Sequence, residues 1–195
     1  MIETAGRTCY KSEDRITEKS AGEFVKRIVH SGHHAMIEHA SASFRIITDR
    51  GITHEIVRHR LASYAQESTR YCNYSKDKFG NECAFIQPPE LENERAFGVW
   101  ETACSVAEAN YFGLLASGIS PQIARAVLPN CLKTEIVMTA NFREWRHFIA
   151  LRSSPHAHPQ IRPIAATIYD VLMKHAPNAF DDLEVFPKIE RVEKS

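Results

Sequence analysis

Only two stretches of this 195-residue chain alternate apolar with polar side chains; the rest runs at the helical period or at no period. From 41 to 47, Ala42, Phe44 and Ile46 stand opposite Ser41, Ser43 and Arg45, the pattern of a strand with one polar face, and Asp49-Arg50-Gly51 reads as a turn. Residues 132 to 139 alternate again through Thr134, Ile136 and Met138. Around these stretches the spacing predicts helices. Ser20 with Glu23 is a capping-box pattern, and Ala21, Phe24, Val25, Ile28 and Val29 predict an amphipathic helix over about 17–31, closed by Gly32. Thr53 reads as the cap of a short helix running to about Arg60. Phe97, Trp100, Cys104, Ala107, Tyr111 and Leu114 step through a long helix that Gly118 can close, and Ser120-Pro121 opens the next. Asn141 with Glu144 caps a helix through Arg152, and Ile161, Ile164, Ala165, Ile168 and Leu172 mark a last one from about 159. Helices interleaved with few strands, without repeats or linkers, give an α/β class and a single domain over 1–195, with PKIERVEKS as a frayed tail.

The chain carries 24 Lys+Arg against 24 Asp+Glu, and this zero net charge argues against a broad nucleic-acid surface. No run approaches the roughly 18 apolar residues of a membrane span, and MIETAGRTCYKSEDR lacks the order of a signal peptide, so a cytoplasmic protein is expected. Cys9, Cys72, Cys83, Cys104 and Cys131 are scattered and odd in number, which fits neither a disulfide framework nor a zinc knuckle. The basic residues favour arginine, 15 against 9 lysines, the residue suited to planar anion contacts.

Several histidines imitate metal motifs. His54-Glu55 with His59 has the second histidine five residues on, which turns the two about 140° apart on a helix. His34, Glu38 and His39 miss the H-x-x-E-H spacing by one residue. No metal site is expected. The neighbours of His59 say more: Arg58, His59 and Arg60, followed by Ser68, Thr69 and Arg70, gather cations and hydroxyl donors, and Ile56 and Val57 anchor them to the core. Such a cluster repels itself without an anion. The surrounding LASYAQESTRYCNYSKDKFGN reads as a long irregular loop, and such loops inside compact domains are usually functional.

Arg58-His59-Arg60, seven intervening residues and Ser68 resemble the signature of the flavin-dependent thymidylate synthases, and Ser-Thr-Arg-Tyr at 68–71 extends the match. HHAMIEHASASF at 33–44, IARAVLPNCLKTEI at 123–136 and TANFREWRHFIALR at 139–152 resemble further blocks of that family in the same order, so the resemblance covers about residues 3 to 185. Family members usually carry a further N-terminal stretch before AGRTCYKS, and PHAHPQIRPIA departs from the pattern at His158 and Gln160, which are left out of the site.

The resemblance implies a twisted, mainly antiparallel sheet flanked by helices, a homotetramer, FAD as cofactor, and methylenetetrahydrofolate and NAD(P)H as co-substrates in the methylation of dUMP. It implies dUMP contacts at Glu55, Ile56, Val57, Arg58, Gln66, Glu67, Ser68, Thr69, Arg70, Arg125 and Arg152. Arg152 is placed beside the pyrimidine as the catalytic charge. FAD contacts are implied at His39, Ser41, Arg58, His59, Arg60, Gln66, Asn141, Phe142, Arg143 and His147, although Asn141 is also a good helix cap. Arg125, just after the turn opened by Ser120-Pro121, is expected to share a helix N-terminus with a phosphate. Leu128-Pro129-Asn130-Cys131 looks like the nucleophile segment of the flavin-free thymidylate synthase, but no histidine follows Cys131 to activate it. The rival reading is a nucleotide or RNA-binding module in which Tyr64, Tyr71 and Tyr74 stack on bases.

Overall fold

The computed structural model describes residues 1–76 and 79–186, so the charged tail lies outside the described residues. Helices α1 (Ile2–Thr8) and α2 (Ser20–His30) and a 3-10 segment at His34–His39 lead into strand β1 (Ser41–Asp49) and helix α3 (Arg50–Ile56). Strand β2 (Ala62–Gln66) is followed by the long α4 (Glu94–Ala116), the short α5 (Pro121–Ala124) and strand β3 (Lys133–Asn141). Helices α6 (Phe142–Arg152) and α7 (Ile161–His175) follow, with a 3-10 segment at Pro177–Ala179 after them. The strands form a three-stranded antiparallel sheet in the order β1-β3-β2, the mixed class that the sequence predicts. The central β3 buries Thr134, Ile136, Met138 and Ala140 on alternate positions, as period two requires.

Most boundaries fall where the local chemistry puts them. Gly32 and Gly118 follow α2 and α4 with φ of +76° and +82°, left-handed positions that suit glycine. Four expectations are corrected. Asp49-Arg50-Gly51 is no turn: Asp49 Oδ1 accepts from the Ile52 N–H at 2.7 Å and caps α3, while Thr53 lies inside that helix with its hydroxyl on the Arg50 carbonyl. The helix therefore ends at Ile56 and leaves Arg58 to Arg60 beyond it. The stretch read as an irregular loop contains β2, and α1 was not foreseen.

The described chain divides into two compact units, residues 1–44, 59–63 and 138–186 in one and 45–58 and 64–137 in the other. In the first, α6 packs on α7 and on the 34–39 segment around Trp145, Phe148, Ile149, Ile161 and Phe180, all fully buried. Trp145 donates its indole N–H to the Ala42 carbonyl at 3.0 Å and meets Phe44 edge to face. Arg146, itself buried, reaches Asp182 with its two terminal guanidinium nitrogens, Nη1 and Nη2, each at 2.6 Å. In the second unit α4 packs with α5, and Tyr74, Cys83, Tyr111, Ala124 and Leu132 form the core. Among the described residues no helix is long and apolar enough to cross a membrane.

The bidentate bond from Arg146 holds the Asp182 carboxyl below the usual carboxylate range. A depressed native pKa stabilises the fold above the unfolded value and the benefit is lost as pH falls through the native one. Between pH 5 and pH 3 the protein is expected to lose urea stability that Asp182→Asn, already weakened at pH 5, loses to a smaller extent; urea midpoints at the two pH values check this.

Candidate active site

The first unit builds its cluster on α6. Asn141, the last residue of β3, accepts the Glu144 N–H at 2.9 Å and starts the helix without a loop. Glu144, His147 and Phe148 follow at spacings of three and four, so they share one face, and Arg152 ends the helix. His59 is set against that face. Its Nδ1 lies 2.9 Å from Glu144 Oε1, its Nε2 lies 3.1 Å from Arg152 Nε, and its ring meets Phe148 at 4.8 Å and His147 at 5.4 Å between centroids. His59 and Glu144 are buried, at 4 % and 7 % exposure.

These contacts fix the imidazole proton. A guanidinium can only donate, so Nε2 accepts, the proton sits on Nδ1, and Nδ1–H donates to Glu144. Burial, the largest influence, pushes the His59 pKa down; the Arg152 and His147 charges act the same way, and the Glu144 hydrogen bond works against them. His59 is thus held neutral. His59, Glu144 and His147 also place one potential metal ligand each within 4.8 Å of one another. Both nitrogens of His59 are engaged in this structure, Nδ1 by Glu144 and Nε2 by the Arg152 guanidinium.

The remaining flavin candidates of this unit gather at the start of α6. The Phe142 N–H donates to the Ala40 carbonyl at 2.9 Å, which sets His39 and Ser41, both exposed, beside Asn141. Arg143 pairs with Glu38 at 2.6 Å, and Phe142 turns its ring onto Phe180. Asn141 uses its carbonyl oxygen on the helix, as its capping role anticipates. Arg60 is exposed.

The second unit assembles a different cluster. Glu55 is half-buried, Ile56 fully buried and Arg58 exposed; Val57, expected as a core anchor, is 40 % exposed because α3 has ended before it. Gln66 on β2 donates to the Thr53 hydroxyl at 2.9 Å, and Glu67 accepts from the Tyr74 hydroxyl at 2.9 Å. Beyond β2 the chain turns at Ser68, whose carbonyl accepts the Tyr71 and Cys72 N–H groups. Arg125 Nη1 donates to the buried Thr69 hydroxyl at 3.1 Å and Arg70 Nε to Gln122 at 3.2 Å, so two arginines meet on one turn. Among the described residues neither has an acidic partner, nor has Arg58. Arg125 lies just after the turn opened by Ser120-Pro121, as the C-terminal cap of the four-residue α5 and the first residue of a 3-10 turn, Arg125–Val127. A cavity of about 640 Å³ in this unit is lined by Arg45, Glu67, Tyr74, Lys133 and Glu135. Lys133 and Arg45 both pair with Glu135, so that cavity carries no unmatched cations comparable with Arg70 and Arg125.

Two alternatives lose their footing. Tyr74 is buried and Tyr64 gives its hydroxyl to the Ile56 carbonyl at 3.0 Å, which leaves Tyr71 alone of the three as an exposed ring. The Cys131 thiol lies 3.5 Å from Cys104, whose pKa burial pushes up to about 12, a thiol-to-thiol contact with no base in it. Sequence reasoning saw Glu144 only as part of a capping pattern; its carboxylate reaches a histidine 85 residues away, which no local spacing encodes.

One arginine is thus held on a neutral histidine, and Arg58, Arg70 and Arg125 are unmatched by acids among the described residues. Residues 1–178 match the model of the family described as thymidylate synthase complementing protein, and the chain belongs to that family. It is 37 % identical to a flavin-dependent thymidylate synthase of Mycobacterium sp. (strain JLS), over 96 % of this chain and 80 % of that protein. It is 38 % identical to one of Mycobacterium avium (strain 104) and 37 % to one of Mycobacterium tuberculosis (strain ATCC 25177 / H37Ra), in both cases over 95 % of this chain and 79 % of the relative.

Replacing Asn141 by Ala is expected to lower the unfolding free energy by about 1 kcal/mol, the usual worth of a cap, while Asn141→Asp keeps it. Urea titration of the two variants checks this.

Proposed function

We propose that this chain is an FAD-dependent thymidylate synthase that methylates dUMP to dTMP, with methylenetetrahydrofolate as carbon donor and NAD(P)H as reductant. The observation that carries the reading is the family match over residues 1–178, which spans every residue of both clusters. The residues present suit the ligands: Arg58, Arg70 and Arg125 have no acidic partners among the described residues, as anion-binding arginines require. When bound, FAD supplies the hydride that reduces the transferred carbon.

The chain's own residues then divide the work. Arg70 and Arg125, with the hydroxyls of Ser68 and Thr69, bind the nucleotide phosphate, each charge-assisted bond contributing roughly 1.5–3 kcal/mol. Glu55, Ile56, Val57, Arg58, Gln66 and Glu67 complete the dUMP contacts. Arg152 stabilises negative charge developing at N3 and O4 of the pyrimidine and so makes C5 nucleophilic. FAD is held by His39, Ser41, Arg58, His59, Arg60, Gln66, Asn141, Phe142, Arg143 and His147. No cysteine serves as nucleophile, since Cys131 faces a thiol and not a base.

A cytoplasmic homotetramer completes the proposal. Support comes from α4, which buries only Cys104 and Tyr111 of its 23 residues while Val99 and Val106 are 68 % and 54 % exposed. An apolar helix face of this kind is the material of subunit interfaces.

The purified protein is expected to carry non-covalent FAD and to sediment as a tetramer; monomers that take up no added FAD contradict the reading. Arg125→Ala is expected to raise the KM for dUMP with a smaller effect on kcat, whereas Arg152→Ala lowers kcat by about 100-fold or more at saturating dUMP. Rescue of Arg152→Ala by more dUMP removes the ring-polarising role.

A further inference from the structure

We propose that Glu144 is a positioning residue for this reaction, holding the Nδ1 proton of His59 so that Nε2 stays free to accept from, and thereby aim, the Arg152 guanidinium. The proposal rests on the reading of Arg152 given above and goes beyond it by naming what holds that side chain in place. Three hydrogen bonds in series make the device: the Asn141 carboxamide oxygen on the Glu144 N–H at 2.9 Å, Glu144 Oε1 on His59 Nδ1 at 2.9 Å, and Arg152 Nε on His59 Nε2 at 3.1 Å. Glu144 and His59 are buried, and Phe148 and His147 bracket the imidazole. Arg152 itself is half-buried and ends α6.

The order of donors gives each member one role. If Glu144 lost its carboxylate without replacement, only the Arg152 contact would still favour the Nδ1–H tautomer of His59, and the Nε2–H form, which turns an N–H toward the Arg152 N–H, would become more accessible than it is now. Protonation of His59 has the same effect on Arg152. The titratable and charged groups of α6 that act on the ring are Glu144, His147 and Arg152, and Arg58 and Arg60 lie beside His59 in the chain. Of these, Glu144 alone favours the imidazolium, so against the larger effect of burial it raises the pH at which His59 takes a second proton and Nε2 ceases to accept from Arg152. A glutamine at 144 can still accept the Nδ1 proton but brings no charge, and it therefore separates the geometric role from the electrostatic one.

The experiment compares Glu144→Ala, Glu144→Gln and Arg152→Ala in the FAD-loaded full-length protein, measuring kcat and KM for dUMP across pH, FAD content and thermal midpoint. Glu144→Ala is expected to lower kcat by about tenfold or more, the scale of losing a tautomer-fixing partner, with the KM for dUMP changed much less and FAD retained. Glu144→Gln is expected to recover most of kcat and to move the acid limb of its pH profile to lower pH, because the group that favours protonated His59 has lost its charge. A merely structural glutamate gives no such displacement. If Arg152→Ala loses turnover while both Glu144 variants keep kcat and the acid limb of the unaltered protein, the positioning role is overturned and the role of Arg152 stands. If Arg152→Ala keeps its turnover, both fall. Should Glu144→Ala fail to fold, the acid limb of Glu144→Gln decides, and an unmoved limb overturns the proposal.

Discussion

A guanidinium has donors and no acceptor, and in this protein that constraint settles the state of the residue most central to the α6 cluster. Because Arg152 approaches Nε2 of His59, the imidazole proton lies on Nδ1; because it lies there, a buried carboxylate is needed to accept it; and Glu144, one turn into α6, is that carboxylate. Burial then works in the same direction by disfavouring the imidazolium. An ionised Glu144 at 7 % exposure is tolerable only because it is hydrogen-bonded, and Arg152 is held in place by the same arrangement.

The loop-free junction of β3 and α6 supplies the geometry. Asn141 ends the strand and caps the helix in one residue, so the helix axis and the phase of Glu144, His147 and Arg152 are set by a strand in the sheet. A main-chain bond from Phe142 to Ala40 and a bond from the Trp145 indole to the Ala42 carbonyl tie the beginning of β1 to the same helix. The second unit treats its cations differently. Arg70 and Arg125 are oriented by neutral partners, Gln122 and Thr69, which direct the guanidinium groups without neutralising them. Neutral anchoring of arginine keeps its charge available to an anion, whereas pairing, as at Arg146 with Asp182, turns it into structure.

Much of this was legible in the sequence where a local rule applies. The caps at Asn141 and Ser120, the glycine stops at 32 and 118 and the period of α2 and α7 all placed elements within a few residues. The failures share a cause. In β2 the half-buried positions are Ala62, Tyr64 and Gln66 against Ser63 and Ala65, so no hydrophobic alternation announces the strand. In α1 the buried residues are Glu3 and Gly6, the glycine receiving the Phe24 ring where a side chain would stand, so no apolar stripe announces the helix. Asp49 out-competed Thr53 as a cap because its carboxylate reaches the Ile52 N–H from the end of a strand. For the site, the arginine-rich segment and the residue types were legible, but the bond between His59 and Glu144 spans 85 positions and belongs to the tertiary fold alone.

The central claim, that Arg152 and Glu144 together hold His59 as the neutral Nδ1–H tautomer, is tested most directly by nitrogen NMR of the protein with ¹⁵N-labelled histidine and with His59 assigned by substitution. The account predicts a protonated, pyrrole-type Nδ1 and an unprotonated, pyridine-type Nε2 for His59 throughout the neutral pH range. A His59 ring protonated on both nitrogens at neutral pH, or carrying its proton on Nε2, contradicts it.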